Sequence, residues 1–147
     1  MHSNLRHNNQ IFVIGGYDGS NFADVWSSSD DGASWVEVTS SAGWSARREH
    51  MSVVYNNQVF VIGGDEGANQ FADVWSSSDG GASWVEVTSS AGWSARRGHM
   101  SVVYNNQIFV IGGTSGSNHF ADVWSSSDGG ASWVEVTSSA GWSARRG

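Results

Sequence analysis

The chain has 147 residues with 14 acidic and seven basic side chains, all seven of them arginine; its formal charge of −7 argues against a nucleic-acid backbone as partner, because phosphate binding needs a basic surface. Cysteine is absent, which excludes disulfides, thiolate catalysis and cysteine metal sites, while nine tryptophans promise a large buried area. No apolar run is long enough to cross a bilayer and the opening "MHSNLRHNNQ" lacks a charged-then-apolar export signal, so a soluble protein with no membrane partner is expected, its compartment left open.

After "SNLRH" at 3–7 comes "NNQIFVIGG" at 8–16, a phrase that returns at 56–64 as "NNQVFVIGG" and at 105–113 unchanged. "FADVWSSSD" follows, starting at Phe22, Phe71 and Phe120, an interval of 49 residues each time. From Phe22 to Arg48, Phe71 to Arg97 and Phe120 to Arg146 the copies differ at one column, where Asp31 stands against Gly80 and Gly129. Residues 1–147 therefore read as one domain of three units, approximately 2–48, 49–97 and 98–147. Each is too small to bury its own hydrophobic face and has to stack on its neighbours.

In the second unit, "HMSVVY" at 50–55 and "QVFVIGG" at 58–64 are β-branched and aromatic, which predicts strands A and B. Asn56 and Asn57 between them tolerate the positive φ of a tight hairpin. "FADVWSSS" from Phe71 alternates Phe71, Asp73 and Trp75 against Ala72, Val74 and Ser76, and "SWVEVT" from Ser83 alternates likewise, giving strands C and D. No segment carries a capped helical period, so almost no helix is expected. The first unit differs at its start. Leu5 matches Val53 and Val102, but Asn4, Arg6 and His7 replace Ser52, Val54 and Tyr55, which reads as an altered or frayed strand over 2–7. The fold class is all-β, and four antiparallel strands repeated at this interval are the sequence form of a propeller blade.

Two signatures fall on those strands. A hydrophobic run closed by a glycine pair, "FVIGG" at 12–16, 60–64 and 109–113, resembles the kelch repeat. The pairs Gly15 and Gly16, Gly63 and Gly64, and Gly112 and Gly113 let the backbone turn and pack closely on a neighbouring blade. The run S-x-D-x-G-x-S-W, at 28–35, 77–84 and 126–133, is similar to the Asp-box, a hairpin of several propeller families that include the sialidases. In it Asp30, Asp79 and Asp128 accept turn amides, and Trp35, Trp84 and Trp133 anchor the hairpin in the hydrophobic layer. Both resemblances imply a β-propeller and say little about activity.

Three blades do not close a ring, since propellers have from about four to eight. The expectation is a self-assembling scaffold, natural or engineered, in which one chain's "GWSARRG" reads into the columns that begin with His2 of the next. A homodimer of six blades is favoured, as the kelch resemblance implies, with a homotrimer of nine as the alternative.

The candidate sites lie on the face that carries the B–C loops, "YDGSN" at 17–21, "DEGANQ" at 65–70 and "TSGSNH" at 114–119, and the three "SARR" segments. Arg47, Arg48, Arg96, Arg97, Arg145 and Arg146, with Tyr17, Asp65, Glu66 and His119, could seat a small anion or a carbohydrate in a lectin-like module. Against this, surface loops drift freely, and the arginines could instead hydrogen-bond loop carbonyls or pair with acidic residues of the next blade. Trp44, Trp93 and Trp142 are either wedges between blades or an aromatic platform for a glycan. His50 and His99, with His2 in the same column, could ring a metal on the axis, but nothing else at ligand spacing accompanies them, so neither metal nor cofactor is expected.

Enzyme readings fare worse. The sialidase resemblance implies arginines, a tyrosine nucleophile and acidic partners, but Tyr17 lies on a different loop from Asp65 and Glu66, and the arginine-bearing N-terminal motif is missing. Galactose oxidase, a kelch-type enzyme, needs a cysteine. Symmetry supplies one group repeatedly where catalysis needs different groups converging, so a non-enzymatic protein is expected.

Overall fold

A computed structural model describes residues 2–145 as three four-stranded antiparallel sheets. The first consists of β1 (Ser3–His7), β2 (Gln10–Tyr17), β3 (Asn21–Ser28) and β4 (Val36–Thr39), and the second of β5 (Met51–Tyr55), β6 (Gln58–Ile62), β7 (Val74–Ser77) and β8 (Val85–Thr88). The third runs β9 (Met100–Tyr104), β10 (Gln107–Ile111), then a small hairpin of β11 (Thr114–Ser115) and β12 (Asn118–His119), then β13 (Val123–Ser126) and β14 (Val134–Thr137). Each sheet is a meander in chain order, and the described residues contain no helix.

Local chemistry sets the turns. Asn8 and Asn9, Asn56 and Asn57, and Asn105 and Asn106 all adopt positive φ, between 46° and 60°, as a two-residue hairpin of matching twist requires. The glycine pairs end the second strands: Gly63 at φ 58° and Gly64 at φ 98° leave the extended region, so β6 stops at Ile62 and not at 64. The outer strands are likewise shorter than expected, β7 beginning at Val74 and β8 at Val85. In the first blade the pairing continues through the glycines to Tyr17 by way of a bulge between Ile14 and Gly16. Residues 3–7 are not frayed. They pair with β2 from Ser3 opposite Ile14 to His7 opposite Gln10, in the register that joins β5 to β6, because backbone pairing does not depend on the altered side chains.

The sheets stack with β1 against β5 and β5 against β9. Alternation along each strand gives every blade two apolar faces. Phe12, Ile14, Val25, Ala42 and Trp44 of the first blade pack onto Val59 and Val61 of the second, with Trp75 and Trp84 beside them. The equivalent residues Phe60, Ile62, Val74, Ala91 and Trp93 of the second pack onto Ile108 and Val110 of the third, beside Trp124 and Trp133. The core is therefore not inside any sheet but between sheets, and every blade depends on a neighbour.

Candidate functional site

The two interblade contacts repeat one polar device within the apolar layer. Arg47, fully buried, reaches from the segment before β5 and donates Nη1 and Nη2 to Asp73 Oδ1 and Oδ2 at 2.7 and 2.8 Å. Its Nη1 also reaches the Gly63 carbonyl at 2.9 Å, its Nε the Ser45 carbonyl at 3.0 Å, and its guanidinium lies 4.2 Å above the Phe71 ring. Arg96 does the same to Asp122 at 2.7 and 2.8 Å, to the Gly112 carbonyl at 2.8 Å and over Phe120 at 4.2 Å. Each carboxylate also accepts the indole N–H two residues on, Trp75 to Asp73 at 2.9 Å and Trp124 to Asp122 at 2.8 Å. Burial alone would raise the Asp122 carboxyl, but the Arg96 and Trp124 donors hold it below the usual range. Asp73 and Asp122 each follow their arginine by 26 residues, but a repeat holds every pair of columns at a constant separation, so the spacing by itself does not mark them.

The second arginine of the first two pairs turns to the loop face. Arg48 Nε and Arg97 Nη1 donate to opposite oxygens of the fully buried Asp65, at 2.9 and 2.5 Å, so one carboxylate bridges arginines of neighbouring blades. That hydrogen bond, opposed by burial, raises the Arg48 pKa further. Arg48 also lies 4.4 Å above the Tyr17 ring, and Arg97 Nε is 3.9 Å from Glu49. The structure thus gathers Tyr17, Arg48, Asp65 and Arg97 and leaves Glu66 and His119 exposed on the rim, where Glu66 accepts from Asn69 at 2.6 Å. Arg146 lies outside the described residues.

His50 and His99 are buried beside Trp44 and Trp93, at ring separations of 6.1 and 6.3 Å, and border a pocket of about 390 Å³ that His2 also lines. Burial first, and the charge of Arg47 or Arg96 second, push both imidazoles down to about 3. Among the described residues no cluster of three or more histidine or carboxylate groups is arranged to hold a metal ion.

The Asp-box hairpins close as their chemistry requires. Ser34 N–H and Oγ–H reach Asp30 at 2.9 and 2.5 Å, Ser28 Oγ–H adds a third donor at 2.8 Å, and Trp35 Nε1 donates to the Gly32 carbonyl at 3.1 Å. Asp79 and Asp128 accept the same set from Ser83 and Ser77 and from Ser132 and Ser126. The serine donors hold Asp30 and Asp79 at about 2. Across each interblade contact the box tryptophan meets the loop tryptophan edge-on, Trp84 on Trp44 and Trp133 on Trp93, both at 5.9 Å and 86°.

The model of the KLHDC2/KLHL20/DRC7 Kelch-repeats domain matches residues 1–147. The chain belongs to the kelch-repeat family. No curated protein matches it. In this kelch domain the glycine pair has a reason beyond turning: a Cβ at Gly64 would stand 2.7 Å from His50 Cβ and 2.8 Å from the Arg48 carbonyl, and one at Gly113 2.8 Å from His99 Cβ. Only glycine lets the end of the second strand lie against the entry to the innermost one.

The kelch blades also leave two flanks open. Val53, Tyr55 and Trp93 are 8, 5 and 2 % exposed, whereas Val102, Tyr104 and Trp142 in the same columns of the third blade are 46, 72 and 39 % exposed. At the other flank Ile11 and Trp35 are exposed where Ile108 is buried and Trp133 partly buried. No helix among the described residues is long and apolar enough to cross a membrane.

Proposed function

We propose that this kelch domain is a non-catalytic, self-assembling propeller scaffold in which the third blade of one chain is covered by the first blade of a second copy, two chains making a symmetric ring of six blades. One observation carries the proposal: the residues that the second blade buries against its neighbour are left partly or largely exposed on the third. Val102, Tyr104, Phe109, Ile111, Val123 and Trp142 repeat Val53, Tyr55, Phe60, Ile62, Val74 and Trp93 without a substitution. Ile11, Val13, Trp26 and Trp35 on the opposite flank repeat Ile108, Val110, Trp124 and Trp133, again without one. A second copy would therefore meet a surface that already has a partner matching at these columns, with Asp31 standing where Gly129 faces Phe60 and Tyr55 in the internal contact, and the contact is heterologous and closes when the rotation per chain divides a full turn.

A glycan- or anion-binding role draws less support. Four of the candidate arginines are engaged, Arg47 and Arg96 by Asp73 and Asp122 and Arg48 and Arg97 by Asp65, which leaves Arg145 as the exposed arginine among the described candidates. Trp44 and Trp93 are wedged between blades and offer no platform.

Sedimentation equilibrium from nanomolar to tens of micromolar protein tests the proposal. Two chains of 15.7 kDa give about 31 kDa and three give about 47 kDa. A folded species that stays at 15.7 kDa over the whole range would refute assembly.

A further inference from the structure

The interblade ion pair occurs twice complete and once divided. Arg145 stands in the column of Arg47 and Arg96, and its Nε already donates to the Ser143 carbonyl at 2.9 Å, as theirs do to Ser45 and Ser94 at 3.0 Å. The third guanidinium is thus anchored by the same local bond, yet it is exposed and has no carboxylate partner among the described residues. Asp24, in the column of Asp73 and Asp122, accepts Trp26 Nε1 at 2.8 Å as they accept Trp75 and Trp124, and no arginine among the described residues reaches it. Around it the rest of the receptor is in place: the Phe22 ring is exposed where Phe71 and Phe120 are covered by a guanidinium, and Gly15 holds the position of Gly63 and Gly112, whose carbonyls accept the internal arginines.

We infer that Arg145 of one chain closes a bidentate ion pair on Asp24 of a second copy, with the Gly15 carbonyl and the Phe22 ring completing its surroundings, and that this latch fixes which flank meets which. The inference rests on the head-to-tail assembly proposed above. Apolar contact alone is indifferent to small slips between flanks, but a guanidinium fork accepts a carboxylate in one geometry. In the internal contacts the pair sits in a buried layer, so at the seam too it would be little screened by salt.

The test is the assembly constant of wild type, Arg145→Ala, Arg145→Asp, Asp24→Asn and the charge-swapped double variant Arg145→Asp/Asp24→Arg, measured by sedimentation with circular dichroism to confirm folding. Both positions are open to solvent to some degree in the single chain, so each variant should fold. Each single variant should weaken assembly by about a hundredfold or more, and the swap should recover a measurable part of that loss over Arg145→Asp alone. Single variants that assemble as tightly as wild type would overturn the latch while leaving the ring intact. A wild type that is monomeric throughout would remove the ring, and the latch with it.

Discussion

Trp93 and Trp142 occupy one column of the repeat, and replacing each by alanine should produce opposite kinds of damage. Trp93 is 2 % exposed, packed edge-on against Trp133 at 5.9 Å with Arg96 stacked at 5.7 Å, so Trp93→Ala opens a cavity inside the chain and should cost about 3–5 kcal/mol of stability. Trp142 is 39 % exposed, which on a side chain of roughly 250 Å² leaves on the order of 100 Å² for a partner to cover, worth about 2.5 kcal/mol per seam at 25 cal/mol per Å². A two-chain ring has two seams, so Trp142→Ala should weaken assembly by roughly 5 kcal/mol, between three and four orders of magnitude, while barely moving the unfolding midpoint of the single chain. Urea denaturation at a concentration where the chains are separate reads the first effect, and analytical ultracentrifugation reads the second. Equal losses of single-chain stability from the two variants, or an unchanged assembly constant in Trp142→Ala, would refute the reasoning.

Acid should loosen the blades through His50 and His99. Both imidazoles sit at about 3 in the folded chain against an ordinary 6.5, so the unfolded chain binds more protons below pH 6.5. Stability is therefore full above pH 6.5 and is lost as pH falls towards 3, by about 2 kcal/mol per histidine between pH 7 and pH 5, measurable as a falling urea midpoint that His→Phe variants should flatten. Asp122→Asn strands a buried guanidinium and should cost about 3–5 kcal/mol in the same assay. Asp24→Asn should cost the single chain far less, because no arginine among the described residues reaches Asp24. Gly64→Ala, which must fit a methyl 2.7 Å from His50 Cβ at φ 98°, should destabilise by more than about 2 kcal/mol. Gly92→Ala, at a similar φ of 89° but with open space around it, should cost about 1 kcal/mol.

The repeat and its strand order were legible because alternation and asparagine turns are local signals, and they reappear in every blade. Where strands end was less so. The expected strand from Phe71 loses its first three residues because Phe71 and Asp73 hydrogen-bond through their backbones to the glycine pair, Phe71 N–H to the Gly64 carbonyl and Gly63 N–H to the Asp73 carbonyl, in place of an extended ladder. The arginines were recognised as a repeated feature, but their targets could not be read from spacing alone. Arg47 and Arg48 are adjacent, yet the first turns into the apolar layer to meet Asp73 and the second out to Asp65, a division set by the geometry of the stacked blades. His7, which replaces tyrosine in its column, is buried all the same, since its place at the blade contact is fixed by the backbone register.

The most direct test of the seam uses the absence of native cysteine. A Cβ built at Gly130 stands 3.7 Å from Val74 Cβ, and one at Gly81 stands 3.8 Å from Val25 Cβ, the separation of a disulfide. Val123 and Gly32 hold the same two columns on the open flanks, so Val123→Cys with Gly32→Cys should oxidise to a covalent dimer joined head to tail, while the control Val74→Cys with Gly130→Cys oxidises within one chain. Non-reducing mass spectrometry should find the first as a closed pair of chains with no free thiol. Single chains that keep both thiols reduced, under conditions where the control closes fully, would contradict the pairing of these flanks.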